Sequence, residues 1–114
     1  MSLSDEQFEF LQDIALLIQF ASRRGYKITA GEMYRTEDQQ RIYYEAGRSM
    51  TMDSQHRKRL AFDINLFIDG KPVWTMRPEW KELGDFWKSL NKKNRWGGSD
   101  FGSFLDLPHF ERNS

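Results

Sequence analysis

Residues 54–68 read Ser-Gln-His-Arg-Lys-Arg-Leu-Ala-Phe-Asp-Ile-Asn-Leu-Phe-Ile, and this stretch decides how the rest of the chain folds. In its second half an apolar residue stands at every other position, a period of two that predicts a β-strand with one face in the core. Asp63 lies on the opposite face, where a carboxylate is costly to bury unless something pairs with it. His56 precedes the strand, and His109 is the only other histidine. Together these residues suggest that the partner of Asp63 is a metal ion.

Length and composition limit the alternatives. The 114 residues suffice for one domain with one core, which we take as residues 1–114. Seventeen basic and seventeen acidic residues cancel, so no overall field attracts nucleic acid. Without cysteine there is no disulfide and no thiolate zinc site, and any metal must be held by histidine and carboxylate. The apolar run 14–18 is too short for a signal peptide or a membrane span. We expect a monomer, synthesised in the cytoplasm without a signal peptide and without stable membrane insertion.

The N-terminal segment predicts a long helix. Ser4-Asp5-Glu6-Gln7 has the pattern of a capping box, and Leu3 and Phe8 are placed to form a hydrophobic staple. Gly25 offers a C-terminal stop, so we expect the helix over about residues 5–24. The residues predicted to form its apolar face are Phe8, Leu11, Ala15 and Ile18.

The remaining segments predict a small antiparallel sheet with two further helices. The Asp69-Gly70 pair predicts a tight hairpin, and Pro72 in the return strand places that strand at an edge. The fold class is therefore α+β, a single compact domain with about three helices. The expected elements are a strand within 26–34, a helix from the Thr36 cap to about 46, an exposed loop over 47–56, a return strand over 71–74, and a helix from Pro78 to near Asn91 whose apolar face carries Trp80, Leu83, Trp87 and Leu90.

His56, Asp63 and His109 form a plausible zinc-binding set. A catalytic zinc site usually has three protein ligands and one open position. Two imidazoles and a carboxylate suit zinc, although they do not exclude other divalent ions. Hydrolysis also needs a carboxylate that takes a proton from water and hands it to the leaving group, and Asp106 stands three residues before His109. The HExxH signature of zincins is absent.

Four segments carry a resemblance to a known family, in the same order along the chain. They are Tyr34-Arg35-Thr36-x-x-Gln39-Gln40, Ser54-x-His56-x6-Asp63 with Ala61, Trp96-Gly97-Gly98-x-x-Phe101, and Asp106-Leu107-Pro108-His109-Phe110. Covering roughly residues 28 to 111, they resemble the motifs of the VanY-like zinc peptidases. That family includes D-alanyl-D-alanine carboxypeptidases, D,D-dipeptidases and the L-alanyl-D-glutamate endopeptidases of phage endolysins.

The resemblance implies a hedgehog/D,D-peptidase-like zinc fold and assigns roles. His56, Asp63 and His109 would bind Zn²⁺, Asp106 would act as catalytic base and then acid, and Arg35 would stabilise the polarised carbonyl. The implied substrate is a peptidoglycan stem peptide, cleaved by a phage or prophage lysis enzyme that acts on the cell wall after release. The resemblance does not decide between endopeptidase and carboxypeptidase. The rival is a catalytically silent zinc-fold module, for binding or in a virion, and its expected signature, loss of the acid at 106, is not present.

Four further residues are candidates for contact with the substrate: Ser54, Gln40, Trp96 and Arg59. Arg59 stands where the family motif usually has glycine. The run Arg57-Lys58-Arg59 is either a solvated basic face or a source of cations for an acidic wall peptide, such as one with a D-glutamate carboxylate. Trp96 is equally consistent with core and groove wall, and Glu111 with a supporting or a surface position.

Overall fold

The computed structural model describes residues 1–49 and 51–114 and contains three α-helices, one short 3₁₀ helix and five strands. The Asp69-Gly70 pair takes positive φ angles of 53° and 76° and forms the predicted hairpin between the second and third strands. In chain order the elements are α1 (Leu3–Arg23), β1 (Lys27–Ala30), α2 (Glu37–Glu45), the 3₁₀ helix (Gln55–Lys58), β2 (Ala61–Ile68), β3 (Lys71–Pro72), α3 (Pro78–Leu90), β4 (Asn94–Trp96) and β5 (His109–Arg112).

The described strands pair antiparallel in the order β1-β2-β5-β4, with the short β3 also paired to β2. The strand predicted from residues 60–68 is therefore at the centre of the sheet. Its partner β5 aligns Phe62 with Phe110 and Asp63 with His109. Because side chains that face each other across two strands share one side of the sheet, this register brings the two polar residues together.

The core contains the apolar face of β2, on which α1 and α3 supply large side chains. Leu60, Ile64 and Leu66 are buried, as the alternation predicts, and the α+β class with three helices and a small antiparallel sheet is confirmed. Phe110 on β5 lies within 6.4 Å, ring centroid to ring centroid, of three tryptophans. The buried apolar residues are Phe10, Ile14, Leu17, Ala21, Leu60, Ala61, Ile64, Leu66, Val73, Trp80, Leu83, Trp87, Trp96, Leu107 and Phe110.

The start and the buried face of α1 differ from the prediction. The cap is Ser2, whose hydroxyl accepts a hydrogen bond from the Asp5 backbone in a capping box. Leu3 and Phe8, predicted to form a staple, are 50% and 64% exposed. The predicted apolar face Phe8, Leu11, Ala15 and Ile18 points to solvent, whereas Glu6, Phe10, Ile14, Leu17 and Ala21 are buried. The helix carries two apolar stripes, and the one that packs in the core also contains Glu6, which forms ion pairs with Lys93 and Arg112.

Three other segments differ from the prediction, two strands in length and one loop in its ending. The first strand ends at Ala30 because Gly31 then crosses close to β2, with its amide donating to the Asp63 carbonyl at 2.7 Å. The return strand spans Lys71–Pro72 alone. The loop predicted over 47–56 ends in the 3₁₀ helix, and its position 50 lies outside the described residues. None of the described helices has the length and apolar character needed to cross a membrane.

Candidate metal centre and active-site cleft

His56, Asp63 and His109 come together on the polar side of the sheet. One ligand atom from each lies within 4.8 Å of the other two. His56 Nε2 is 3.2 Å and His109 Nδ1 is 3.3 Å from the same carboxylate oxygen, Oδ1 of Asp63. The sheet register places Asp63 opposite His109, and the 3₁₀ helix before β2 places His56 beside them.

The outer nitrogen of each imidazole is held by an acceptor, which fixes the direction of the inner nitrogen. His56 Nδ1 lies 2.9 Å from the Met33 carbonyl oxygen, which can only accept, so Nδ1 donates and Nε2 is left with its lone pair. His109 Nε2 lies 2.6 Å from Glu111 Oε1, which leaves Nδ1 facing Asp63. Imidazoles that bind metal are commonly oriented in this way by an acceptor on the far nitrogen.

The polar atoms at the centre fit a bound cation. Among the atoms of residues 1–49 and 51–114, His56 Nε2 and Asp63 Oδ1 are both buried without a hydrogen-bond partner, despite their short separation. A buried nitrogen lone pair and a buried carboxylate oxygen are costly unless they are satisfied. Two imidazoles and one carboxylate are also ligands that zinc accepts. The two imidazoles and the carboxylate, with two buried atoms that lack a hydrogen-bond partner, therefore suit Zn²⁺.

The ionisable groups at the centre shift one another's pKa values. Burial opposes ionisation of Asp63, but its contacts with His109 and His56 outweigh burial and hold the pKa of its carboxyl well below the usual range. Burial likewise opposes protonation of His109, yet the carboxylates of Asp63 and Glu111 raise its pKa to about 9. In the metal-free protein a proton on His109 thus balances the charge that a cation would otherwise balance.

Asp106 lies in the turn that leads into β5 and faces the cleft beside the centre. Its amide donates to the Gly97 carbonyl at 2.9 Å, and its carbonyl accepts from the His109 amide at 3.1 Å. A Cβ atom on Gly97 would stand 2.1 Å from the Asp106 carbonyl oxygen, so the turn can approach only because residue 97 is glycine. Burial raises the pKa of the Asp106 carboxyl, with the charge of Asp63 adding to the effect and His109 opposing it.

Arg35 is buried next to the centre and fixed by several partners. Its Nη2 is 3.7 Å from Asp63 Oδ2. Nη2 and Nε donate to Glu32 Oε1 at 2.9 and 3.2 Å, and Nη1 donates to Gln40 Oε1 at 2.9 Å. The guanidinium also lies over the Tyr43 ring, 4.6 Å from its centroid. A cation with these partners keeps one position during binding and reaction.

The residues predicted to contact substrate fall in different places. Ser54 lines the cleft and its hydroxyl accepts from the His56 amide at 3.2 Å. Gln40 and Trp96 are buried, at 0% and 1% exposure, and Trp96 donates from Nε1 to the Leu107 carbonyl in the core. Arg59 has its guanidinium over the Tyr34 ring and is not among the described residues that line the cleft. The predicted substrate contacts of Gln40, Trp96 and Arg59 therefore find no support in their positions.

Arg59, which stands where the family motif usually has glycine, lies in a strained turn. Arg59 ends the 3₁₀ helix in the left-handed region, at φ 56° and ψ 39°, a conformation that favours glycine. An arginine at this position therefore carries backbone strain that a glycine would not. The arginine side chain gains a contact with Tyr34, 4.3 Å from its ring centroid.

The cleft over the centre consists of two adjoining cavities that share Arg35, Arg48, Phe104 and Asp106. The larger has a volume of about 500 Å³. Sequence reasoning did not single out Glu32, Tyr43 or Arg48, and it left the place of Glu111 open. Their contacts with Arg35 and His109 are close in sequence, but they depend on side-chain directions in irregular segments that no periodic pattern predicts. The described residues that line the two cavities are Gly31, Glu32, Arg35, Tyr43, Arg48, Ser49, Thr51, Asp53, Ser54, Gln55, Asp63, Asn65, Arg95, Phe101, Phe104, Leu105, Asp106, Pro108, His109 and Glu111.

The combination of an antiparallel sheet, a histidine–aspartate–histidine cluster and an adjacent acid is typical of a small metallohydrolase. A family model described as D-alanyl-D-alanine carboxypeptidase matches residues 47–112, which is more than half of the chain. The chain belongs to this family of peptidases. The matched range includes every residue of the cluster and Asp106, whereas Arg35 precedes it.

Two solved structures share the fold. The L-Ala D-Glu endopeptidase ChiX of Serratia marcescens superimposes with a TM-score of 0.73 at 21% identity, over 90% of this chain and 77% of that chain. The LdcB LD-carboxypeptidase superimposes with a TM-score of 0.65 at 17% identity, over 93% of this chain and 58% of that one. At these identities the likeness concerns the fold alone. A comparison with curated protein sequences gives no match.

Proposed function

We propose that this protein is a zinc-dependent peptidase that hydrolyses peptide bonds in the stem peptides of bacterial peptidoglycan. The single observation that carries the proposal is the buried cluster of His56, Asp63 and His109, with two orphaned polar atoms facing each other. Membership of the peptidase family supports the hydrolytic chemistry. The two structures that share the fold are named as an L-Ala D-Glu endopeptidase and an LD-carboxypeptidase with peptidoglycan recognition, which supports the choice of substrate.

Zinc would be held by His56 Nε2, Asp63 Oδ1 and His109 Nδ1. When bound in such a site, zinc polarises a substrate carbonyl and lowers the pKa of water to roughly 7. Met33 and Glu111 would keep the two imidazoles in the tautomers that leave these nitrogens free to bind it.

Asp106 would accept a proton from the attacking water and pass it to the leaving amine. A general acid–base group works best when its pKa is close to the working pH, and burial moves the Asp106 carboxyl in that direction. Arg35 would stabilise negative charge as it develops on the carbonyl oxygen. Because its guanidinium is already fixed by Glu32 and Gln40, it reorganises little during the reaction.

The bond that is cleaved stays open between an L-alanyl-D-glutamate endopeptidase and a D-alanyl-D-alanine carboxypeptidase. Both hydrolyse an amide, and they differ in whether a free terminal carboxylate lies next to that bond. Origin in a phage or prophage, and action on the wall after synthesis in the cytoplasm, are parts of the same proposal.

The test is digestion of purified peptidoglycan. The protein is stripped with EDTA, reloaded with one equivalent of zinc and incubated with the wall, and the new termini are identified by mass spectrometry. We expect new amino and carboxyl termini at one type of bond with zinc and none without it. Asp106→Asn should retain zinc and lose about 10²- to 10⁴-fold in turnover. Full activity of Asp106→Asn would reassign the base. Zinc-loaded protein that binds the wall without releasing termini would favour a catalytically silent module.

A further inference from the structure

Three guanidinium groups line the cleft, and one of them differs from the others in its partners. Arg35 is paired with Glu32 at 2.9 Å, and Arg95 donates from Nε to Glu111 at 2.9 Å. Arg48 lines both cavities of the cleft and is exposed. In the part of the chain that the structure describes, no carboxylate lies within ion-pair distance of Arg48. Its positive charge is therefore open to a ligand in the cleft.

The backbone around Arg48 forms a tight turn that is held by hydrogen bonds to α2. Gly47, at φ 75°, ends α2 in the left-handed conformation and turns the chain back on itself. The amides of Arg48 and Ser49 both donate to the Tyr43 carbonyl, at 2.8 and 3.2 Å. Buried Gln40 donates from Nε2 to Ser49 Oγ at 2.9 Å. The turn is thus anchored to α2 and to the scaffold that fixes Arg35.

The cleft also contains carboxylates, but Arg48 is the arginine lining it that none of them pairs with among the described residues. The guanidinium of Arg48 lies over the Tyr43 ring, 4.7 Å from its centroid, and that of Arg35 lies over the same ring at 4.6 Å. Glu32 already balances Arg35 through Oε1 and accepts from the Tyr43 hydroxyl at 3.1 Å through Oε2. Among the described residues, the charge on this ring that has no carboxylate partner is therefore that of Arg48. Thr51 and Ser54 line the same cavity and add hydroxyl groups that can donate to an anion, whereas the Ser49 hydroxyl already donates to the Thr51 carbonyl at 3.2 Å.

We propose that Arg48, supported on the ring of Tyr43, binds a carboxylate of the peptide substrate away from the bond that is cleaved, and so makes the enzyme selective for acidic peptides. This inference rests on the proposed peptidase function and adds a specificity-determining residue to it. Arginine suits the role because its planar guanidinium can hold a carboxylate by two parallel hydrogen bonds. The carboxylate is either that of a D-glutamate residue or the free C-terminal group, since both present the same chemistry.

The experiment compares matched synthetic stem peptides with the zinc-loaded protein. In one pair the D-glutamate carboxylate is free or converted to a primary amide, and in the other the C-terminal carboxylate is free or amidated. We expect the wild type to cleave the free acid of one pair with a kcat/KM about 10- to 100-fold above its amide, the range of a charge-assisted hydrogen bond. Arg48→Gln should lower cleavage of that free acid to the level of its amide, and Arg48→Lys should retain part of the preference. Arg41→Gln is the control, since Arg41 is exposed on α2 and paired with Glu37 and Asp38.

Each alternative outcome has a distinct meaning. If Arg48→Gln discriminates as the wild type does, or loses activity equally on the free acid and the amide, the carboxylate subsite is refuted. Calorimetric titration of the same four peptides separates this inference from the proposed function. Binding that prefers the free acid and depends on Arg48, without cleavage of any peptide, would uphold the subsite and overturn the peptidase. If the wild type binds the free acid and the amide of both peptide pairs equally, the subsite is refuted whether or not any peptide is cleaved. If one pair shows a preference for the free acid, that pair identifies which carboxylate Arg48 binds.

Discussion

The metal-free protein should lose stability as the pH rises from about 6.5 to about 9. Burial opposes a charge on His109, but Asp63 and Glu111 outweigh it and raise the pKa of His109 to about 9, from 6.5 in an unfolded chain. A group whose pKa is raised by folding contributes its full stabilisation below the unfolded value and loses it as the pH rises through the folded value. The pKa of Asp63 is lowered, so its own contribution is lost in acid and stays constant across this interval.

The size of the effect follows from the two pKa values. The pKa of His109 rises on folding from 6.5 to about 9, and each unit of that shift corresponds to 1.36 kcal/mol. The unfolding free energy should therefore fall by on the order of 3 kcal/mol across this pH interval. His109 is 7% exposed, so solvent screens this interaction little. Zinc should reverse the trend, because the metal replaces the proton on His109 and binds more tightly as that proton becomes easier to remove.

The assay is urea unfolding followed by tryptophan fluorescence at several pH values between 6.5 and 9. Trp80, Trp87 and Trp96 are buried and should report the loss of the core. His109→Gln is the matched control, since it lacks the titrating imidazole and should show a flat profile over this interval. A metal-free wild type whose unfolding free energy stays constant or increases, or an equal decrease in His109→Gln, would refute the reasoning.

Three further variants test individual contacts. Gly97→Ala places a methyl group 2.1 Å from the Asp106 carbonyl oxygen, so we expect a loss of about 1–3 kcal/mol in urea unfolding together with reduced peptidase activity; unchanged values would mean that the turn moves freely. Arg59→Gly should be more stable than Arg59→Ala by roughly 1 kcal/mol in thermal melts, because both lose the aromatic contact and glycine alone releases the left-handed strain. Glu111→Gln should weaken zinc binding by about 10- to 100-fold in competition with a chromogenic chelator, because the carboxylate that orients His109 is lost; equal affinity would show that the orientation is set elsewhere.

The sequence predicts the sheet better than it predicts the packing of α1. The alternation along β2 has one interpretation, because a strand has two faces and one of them carries Asp63. Helix α1 has apolar residues on two stripes, and the buried stripe includes a charged residue, Glu6. Both stripes are apolar at helical spacing, so a local pattern does not separate them, and the fold buries the one whose Glu6 carboxylate pairs with Lys93. That choice requires knowledge of where β4 lies.

The candidate ligands could be named from the sequence because their chemistry is scarce. The chain has two histidines, and only a few acids stand near them in motif spacing. The residues around them were harder to find. Glu32 and Tyr43 are ordinary residues in sequence, and their role as supports of Arg35 depends on how the segment between β1 and α2 folds back onto α2. That segment has no regular periodicity from which its conformation could be predicted.

The pairing of Asp63 with His109 has a consequence for how the protein reaches its final state. The two residues are 46 positions apart and face each other across adjacent strands. A slip of one residue between β2 and β5 would turn His109 to the apolar side of the sheet, since the side-chain period is two. Assembly of the three candidate ligands therefore requires that β2 and β5, the most sequence-distant pair among the described strands, have paired in the correct register. If the site binds zinc as proposed, zinc uptake during refolding would report the time at which this pairing forms, and chains in the wrong register would not bind the metal.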